Sequence, residues 1–145
     1  MNNTIKIISA TDARKDWSQL IDTVVHDKPQ MISRTRDYVL MTEVHLMMEI
    51  LSKYKYAATR YLEEDNSITL SLNEMDIAVN GSTEDEARMK LAQDILEYSE
   101  EFYDEFHFWS KAPNRKKHVP YVMKALILQD IEKIGEEITC HDLKN

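Results

Sequence analysis

The chain has 145 residues, 43% apolar and 30% charged, with a net charge of −8, which allows one domain or two small ones sharing a core. Two glycines and three prolines leave little material for long disordered linkers, so helix should dominate. No apolar run approaches the ~18 residues of a membrane span, and the opening MNNTIKIISA has neither the apolar segment nor the cleavage signature of a secreted protein.

The stretch from Ile7 to Leu51 carries three signals in order. Ala10, Ala13, Trp17, Leu20, Ile21, Val24 and Val25 recur at spacings of three and four, one face of an amphipathic helix. Ser9 or Thr11 can cap its start, and Asp12 suits the positive end of its dipole. Gln30 to Ser33 and Tyr38 to Met41 are short apolar runs around Arg34-Thr35-Arg36-Asp37, the pattern of a hairpin. Thr42 can cap a second helix with Val44, Met47, Met48 and Leu51 on one side.

This stretch resembles the N-terminal domain of Phd/YefM-type antitoxins. Thr11-Asp12-Ala13-Arg14 matches the family's helix opening, Ile32-Ser33-Arg34 its hairpin, and Thr42-Glu43 the start of its second helix, with Ile5 to Ile8 as the first strand. The family's turn usually holds Gly, whereas this chain has Thr35-Arg36-Asp37. Such a turn must be wider, or Asp37 must take positive φ.

After Leu51 the helical spacing continues through Tyr54, Ala57, Ala58, Tyr61 and Leu62. Leu46 and Ile50 lie off the first stripe, so this helix is apolar on more than one side and calls for a second surface to cover it. Asp65-Asn66-Ser67 is a turn and the expected boundary, giving domains 1–64 and 65–145. Residues 1–60 hold nine Lys/Arg against seven Asp/Glu, and residues 61–145 nine against nineteen. A mildly basic half joined to an acidic one points to two different partners, or to a solvated acidic helical surface.

Ile68, Leu70 and Leu72, then Met75, Ile77 and Val79, alternate with polar or small residues, giving two half-buried strands turning at Asn73-Glu74. Thr83 to Glu86 reads as a capping box in which Glu86 reaches back to Thr83. A long helix follows with Ala87, Leu91, Ile95, Tyr98, Phe102, Phe106 and Trp109 on one stripe. This strand–strand–helix unit, with Gly81-Ser82-Thr83-Glu84-Asp85-Glu86-Ala87 at its joint, looks like the HicB-type antitoxin fold. Ala112-Pro113-Asn114 breaks the helix, and Arg115-Lys116-Lys117-His118 reads as a mobile basic loop. A last helix starts at Val119-Pro120-Tyr121, carries Val122, Met123, Leu126, Ile127, Ile131 and Ile134, and ends at Gly135. A short strand is expected at Glu137 to Cys140.

Arg14, at the edge of the first stripe, is either an ordinary surface charge or a contact to phosphate or a guanine edge, with free N–H groups of the helix N-terminus helping. The resemblance favours DNA, with Lys15, Arg34, Arg36 and Lys6 joining Arg14 in a basic face. Asp104-x-x-His107 is one metal-ligand pair where di-metal bundles need two, and the adjacent trio Cys140-His141-Asp142 lacks zinc-site spacing, so no metal or cofactor is expected. No nucleophile motif or phosphate loop is present, so no enzyme is expected. The single cysteine fits a cytoplasmic setting.

The expected fold is α+β, Phd/YefM-like and then HicB-like. The resemblance implies a homodimeric antitoxin of a type II toxin–antitoxin pair. Such a protein neutralises a toxin, often a RelE-like endoribonuclease, and binds operator DNA to repress its own operon. Glu101, Tyr103, Asp104, Tyr121 and Met123 are the expected toxin contacts. The alternatives are an oligomeric interaction protein of the same fold without DNA binding, and a small metal-dependent enzyme.

Overall fold

The computed structural model describes residues 4–143 and divides the chain into two compact units, Met1–Ile50 and Leu51–Asn145. In the first, β1 (Ile7–Ser9) leads into α1 (Ala10–Lys15) and α2 (Trp17–His26). A hairpin of β2 (Gln30–Arg34) and β3 (Asp37–Met41) follows, and then α3 (Val44–Ile50). The sheet order is β1-β2-β3, with β1 parallel to β2 and β2 antiparallel to β3. Ala13, Leu20 and Val24 form the buried cluster, with Ile8, Ile32 and Met41 packed against it.

The stripe expected as one helix is two. Asp16, a weak helix former, leaves helical geometry at φ −114°, ψ 41°, between α1 and α2. Ser9 is the cap, its hydroxyl accepting from Asp12 N–H at 3.1 Å. The hairpin turn is tight, not wider: Arg34 pairs with Asp37, and Thr35 takes the positive φ of 55° that was expected of Asp37. That is an uncommon conformation for a β-branched residue. At α3 the Glu43 carboxylate, not Thr42, accepts from Leu46 N–H at 3.1 Å. Helix α3 buries no residue; Val44, Leu46 and Ile50 are exposed, as are Tyr38, Val39 and Leu40 on β3.

The second unit begins with a 3-10 turn, Leu51–Lys53, and then β4 (Tyr56–Leu62), β5 (Ile68–Leu72) and β6 (Ile77–Gly81). The stretch read as a continued helix is therefore strand β4. Ala57 and Ala58 mimic helical spacing, but β4 pairs in parallel with β7 (Ile138–Asp142) at the far end of the chain, Tyr56 against Ile138 and Ala58 against Cys140. Such a distant partner leaves no local periodicity. The sheet order is β6-β5-β4-β7. The boundary falls before β4 and not after Glu64, which moves Lys53, Lys55 and Arg60 into the second unit. The first unit then holds six Lys/Arg against seven Asp/Glu, and the second twelve against nineteen. The first unit is nearly neutral rather than basic.

Between β5 and β6 the turn is a 3-10 segment, Asn73–Met75, closed by Asp76 at φ 55°. Met75, expected in the strand, plugs the core from this turn at 2% exposure. Thr83 caps α4 (Glu84–Asp104), accepting from Glu86 N–H at 3.1 Å. Glu86 reaches past Thr83 to Ser82, taking its N–H at 3.2 Å and its hydroxyl. Ala87, Leu91, Ile95 and Phe102 of α4 are buried in one core with Leu70, Leu72, Val122 and Ile134.

Glu105 breaks the long helix, so Phe106 and Trp109 sit on the short α5 (Phe106–Trp109). The last helix is also two, α6 (Val119–Leu128) and α7 (Ile131–Glu136). Gln129 at φ 61° ends α6, and Asp130 caps α7 by accepting from Glu132 N–H at 2.7 Å. Gly135 therefore lies inside α7 and ends nothing. Polar groups join the core as well, Lys124 among them. Lys124 is 2% exposed, with Nζ 3.2 Å from the Tyr54 carbonyl and 3.1 Å from Glu137 Oε2. Beside it the Tyr56 hydroxyl donates to the Tyr121 carbonyl at 2.6 Å, and burial together with Glu137 pushes the Tyr56 pKa well above its ordinary value.

Candidate functional site

Parallel pairing in the first unit brings two of the expected basic residues together. Ser9 is both the end of β1 and the cap of α1, and it pairs with Ser33 of β2. Arg14, five residues on, and Arg34, one residue beyond Ser33, thereby line one open depression of about 550 Å³ with Ala10 and Thr11. Arg14 also borders an apolar hollow of Ala10, Ala13, Trp17 and Ile32, where its stem can lie while its head stays in water. Lys6 belongs to a different concavity, shared with Asp12 and Asp16. Lys15 and Arg36 are exposed and line neither depression of Arg14. Among the described residues none of these five cations is in a salt bridge (Glu43–His45 is the only pair in this unit). At the start of α1, a helix of six residues, the Ser9 hydroxyl takes the Asp12 N–H, one of the N–H groups expected to help hold a phosphate.

The expected partner contacts of the second unit do not share one element. Glu101 lines an acidic depression of about 380 Å³ with Asp76, Ile77, Ala78, Asp94, Glu97 and Tyr98. Tyr103 is 63% exposed and Asp104 ends α4. Tyr121 is half-buried, its ring edge-on to Tyr54 at 5.5 Å, and Met123 is half-buried on the same helix. Tyr121 is thus committed to its own unit and less available as an anchor than its type implied. Phe108, 64% exposed on α5, is an exposed aromatic that helical spacing did not single out.

The residue that sequence reasoning missed is His118. The expected mobile basic loop is a 3-10 turn, Lys116–His118, with Arg115 stacked 4.0 Å from the Trp109 ring centroid. His118 is 3% exposed; its Nδ1 shares a hydrogen bond of 2.6 Å with the Tyr98 hydroxyl, and its Nε2 has no hydrogen-bond partner. Burial lowers the His118 pKa, Asp76 opposes the shift, and Lys117 and Arg115 add to it. Below the unfolded value of about 6.5 the unfolded chain therefore binds the extra proton first, and stability falls as pH drops through that window. The melting temperature should fall from about pH 7 to about pH 5, with a shallower fall in His118→Gln. Half-buried Glu43 and exposed Asp65 and Glu86 have lowered pKa values and act in a separate window, at or below their ordinary 4.5, 3.8 and 4.5. An unchanged slope in His118→Gln would place the titrating group elsewhere.

The metal-like residues are engaged otherwise. His107 Nε2 meets Lys111 Nζ at 3.1 Å, not Asp104. On β7, Cys140 Sγ receives Arg88 at 3.4 Å, Asp142 pairs with Arg60 at 3.1 Å, and His141 lies 3.5 Å from Thr59. Among the described residues no group of three or more His, Cys, Asp or Glu is arranged to hold a metal. No helix among them is long and apolar enough to cross a membrane.

Comparison with known proteins agrees over nearly the whole chain. No curated protein matches. A solved structure from Syntrophomonas wolfei subsp. wolfei, described as the antitoxin part of a candidate toxin/antitoxin system, is 34% identical. It superposes with a TM-score of 0.88 over 96% of this chain and 100% of its own. The family model PHD_like, described as the antitoxin of RelE/RelB toxin–antitoxin systems, matches residues 3–140. The chain belongs to the PHD_like family of antitoxins.

Proposed function

We propose that this antitoxin is a cytoplasmic homodimer with two separate binding surfaces. The first unit, Phd/YefM-like, binds operator DNA and represses its own operon. The second unit, HicB-like, binds and neutralises a RelE-like endoribonuclease. The observation that carries the first half is the shared depression of Arg14 and Arg34, two guanidinium groups in no salt bridge among the described residues. The first unit is nearly neutral, so DNA binding must come from this local pair; Lys6, Lys15 and Arg36 add only to the field around it. Dimerisation is supported by α3 and β3, which expose Val44, Leu46, Ile50, Tyr38, Val39 and Leu40. A two-fold dimer covers that surface and presents the arginine pair twice to a palindromic site.

The second half is supported by charge. A ribonuclease must attract RNA, so its active surface is basic, and the second unit carries a net −7 from twelve Lys/Arg against nineteen Asp/Glu. Complementary charge speeds association, while exposed aromatics such as Tyr103 hold the complex. The test divides the chain at the observed boundary. Fragment 51–145 is expected to suppress the toxin encoded in the adjoining reading frame, and fragment 1–50 is not. Inhibition by fragment 1–50 alone, at full-length potency, would move the toxin site into the first unit.

A further inference from the structure

We propose that the acidic depression beside α4 is a receptor for one arginine side chain of a partner protein. The proposal rests on the reading of the second unit as partner-binding and adds where and how a cation is held. Asp94, Glu97, Tyr98 and Glu101 stand at i, i+3, i+4 and i+7 on one face of α4, and Asp76, Ile77 and Ala78 close the other side. Among the described residues none of Asp94, Glu97 and Glu101 has a salt-bridge partner, and Glu97 receives only the Gln93 amide at 3.0 Å. Arg115 lies over the Trp109 ring at 4.0 Å and over the Tyr98 ring at 5.7 Å, and among the described residues it forms no salt bridge with these carboxylates. Burial, and after it the Glu97 charge, raise the Asp94 pKa.

A second, independent feature points into the same place. His118 is 3% exposed behind the wall formed by Tyr98 and Asp76. Its Nδ1 is held by Tyr98, while its Nε2 has no partner and faces Asp76 Oδ2 from 3.9 Å. Asp76 is 78% exposed at its side chain, so it can turn between the two. A cation in the depression draws the Asp76 carboxylate inward, where it can accept from His118 Nε2 and from the ligand together. A guanidinium suits the site better than an ammonium. Its five N–H groups fan out in a plane and can meet several carboxylates at once.

The test uses the full-length chain and N-acetyl-arginine amide as probe, followed by nuclear magnetic resonance. N-acetyl-citrulline amide, the same shape without the charge, and N-acetyl-lysine amide are the controls. The expected result is saturable shifts at Ala78, Asp94, Glu97, Tyr98, Glu101 and the His118 ring with the arginine probe only. The variant Glu97→Gln, Glu101→Gln should keep the folded spectrum and weaken binding about tenfold. Equal shifts with lysine or citrulline, shifts spread evenly to distant carboxylates such as Glu132 and Glu136, or undiminished binding by the variant would each overturn the site. No toxin enters the experiment, so its failure leaves the antitoxin reading to be judged separately by inhibition.

Discussion

Gly81→Ala is expected to destabilise the second unit by about 3 kcal/mol, the upper end of ordinary overpacking costs. Gly81 ends β6, pairs with Ile68 and precedes the Ser82-Thr83 entry to α4. A Cβ there would stand 2.5 Å from the Ala87 nitrogen and 2.9 Å from its Cα. These are backbone atoms in the first turns of α4, so neither can rotate away. Relief requires the strand or the helix to shift, and Ala87 is itself fully buried. For a unit of this size the loss corresponds to a drop in melting temperature of roughly 12–24 °C. Gly135→Ala is the control. A Cβ at Gly135 would meet only the Ala92 Cβ, at 3.9 Å, and alanine favours the helix by about 1 kcal/mol. Melting curves of the two variants should move in opposite directions. A Gly81→Ala curve matching the wild type would mean that β6 and α4 do not meet this closely.

Arg14→Ala together with Arg34→Ala should reduce operator binding to the level of unrelated DNA. The two side chains border one depression, so one phosphate or base edge can use both. If each neutralises one phosphate, the slope of log affinity against log salt should fall by about 1.8, near 0.9 per contact. Both residues are exposed, so circular dichroism and melting temperature should stay as in the wild type. Wild-type affinity and an unchanged salt slope in the double variant would remove the pair from the interface.

What the sequence disclosed, and what it hid, follows one physical line. Local signals survived: the Ser9 and Thr83 caps, the alternation in Ile68 to Leu72, and the α4 stripe from Ala87 to Phe102 all depend on neighbours within a few residues. Distant pairing did not. Tyr56 to Leu62 looked helical because its strand partner, β7, lies at the other end of the chain, and with β4 misread the boundary and the charge of each half were misplaced as well. Breaks inside apolar stripes were also silent, since Asp16, Glu105 and Gln129 interrupt the helices without glycine or proline. The pairing of Arg14 with Arg34 depends on the parallel register of β1 on β2, which the hairpin of β2 and β3 does not supply. His118 was hidden as well. A histidine at the end of a basic run gives no hint that it folds inward against Tyr98.

The measurement that bears most directly on the account is inhibition of the partner. The protein encoded beside this chain is purified, its cleavage of messenger RNA is followed, and the full-length antitoxin is titrated in. The expected result is complete loss of cleavage at a fixed stoichiometric ratio, with a complex of the same composition on sizing. Undiminished cleavage with excess antitoxin present, and no complex, would contradict it.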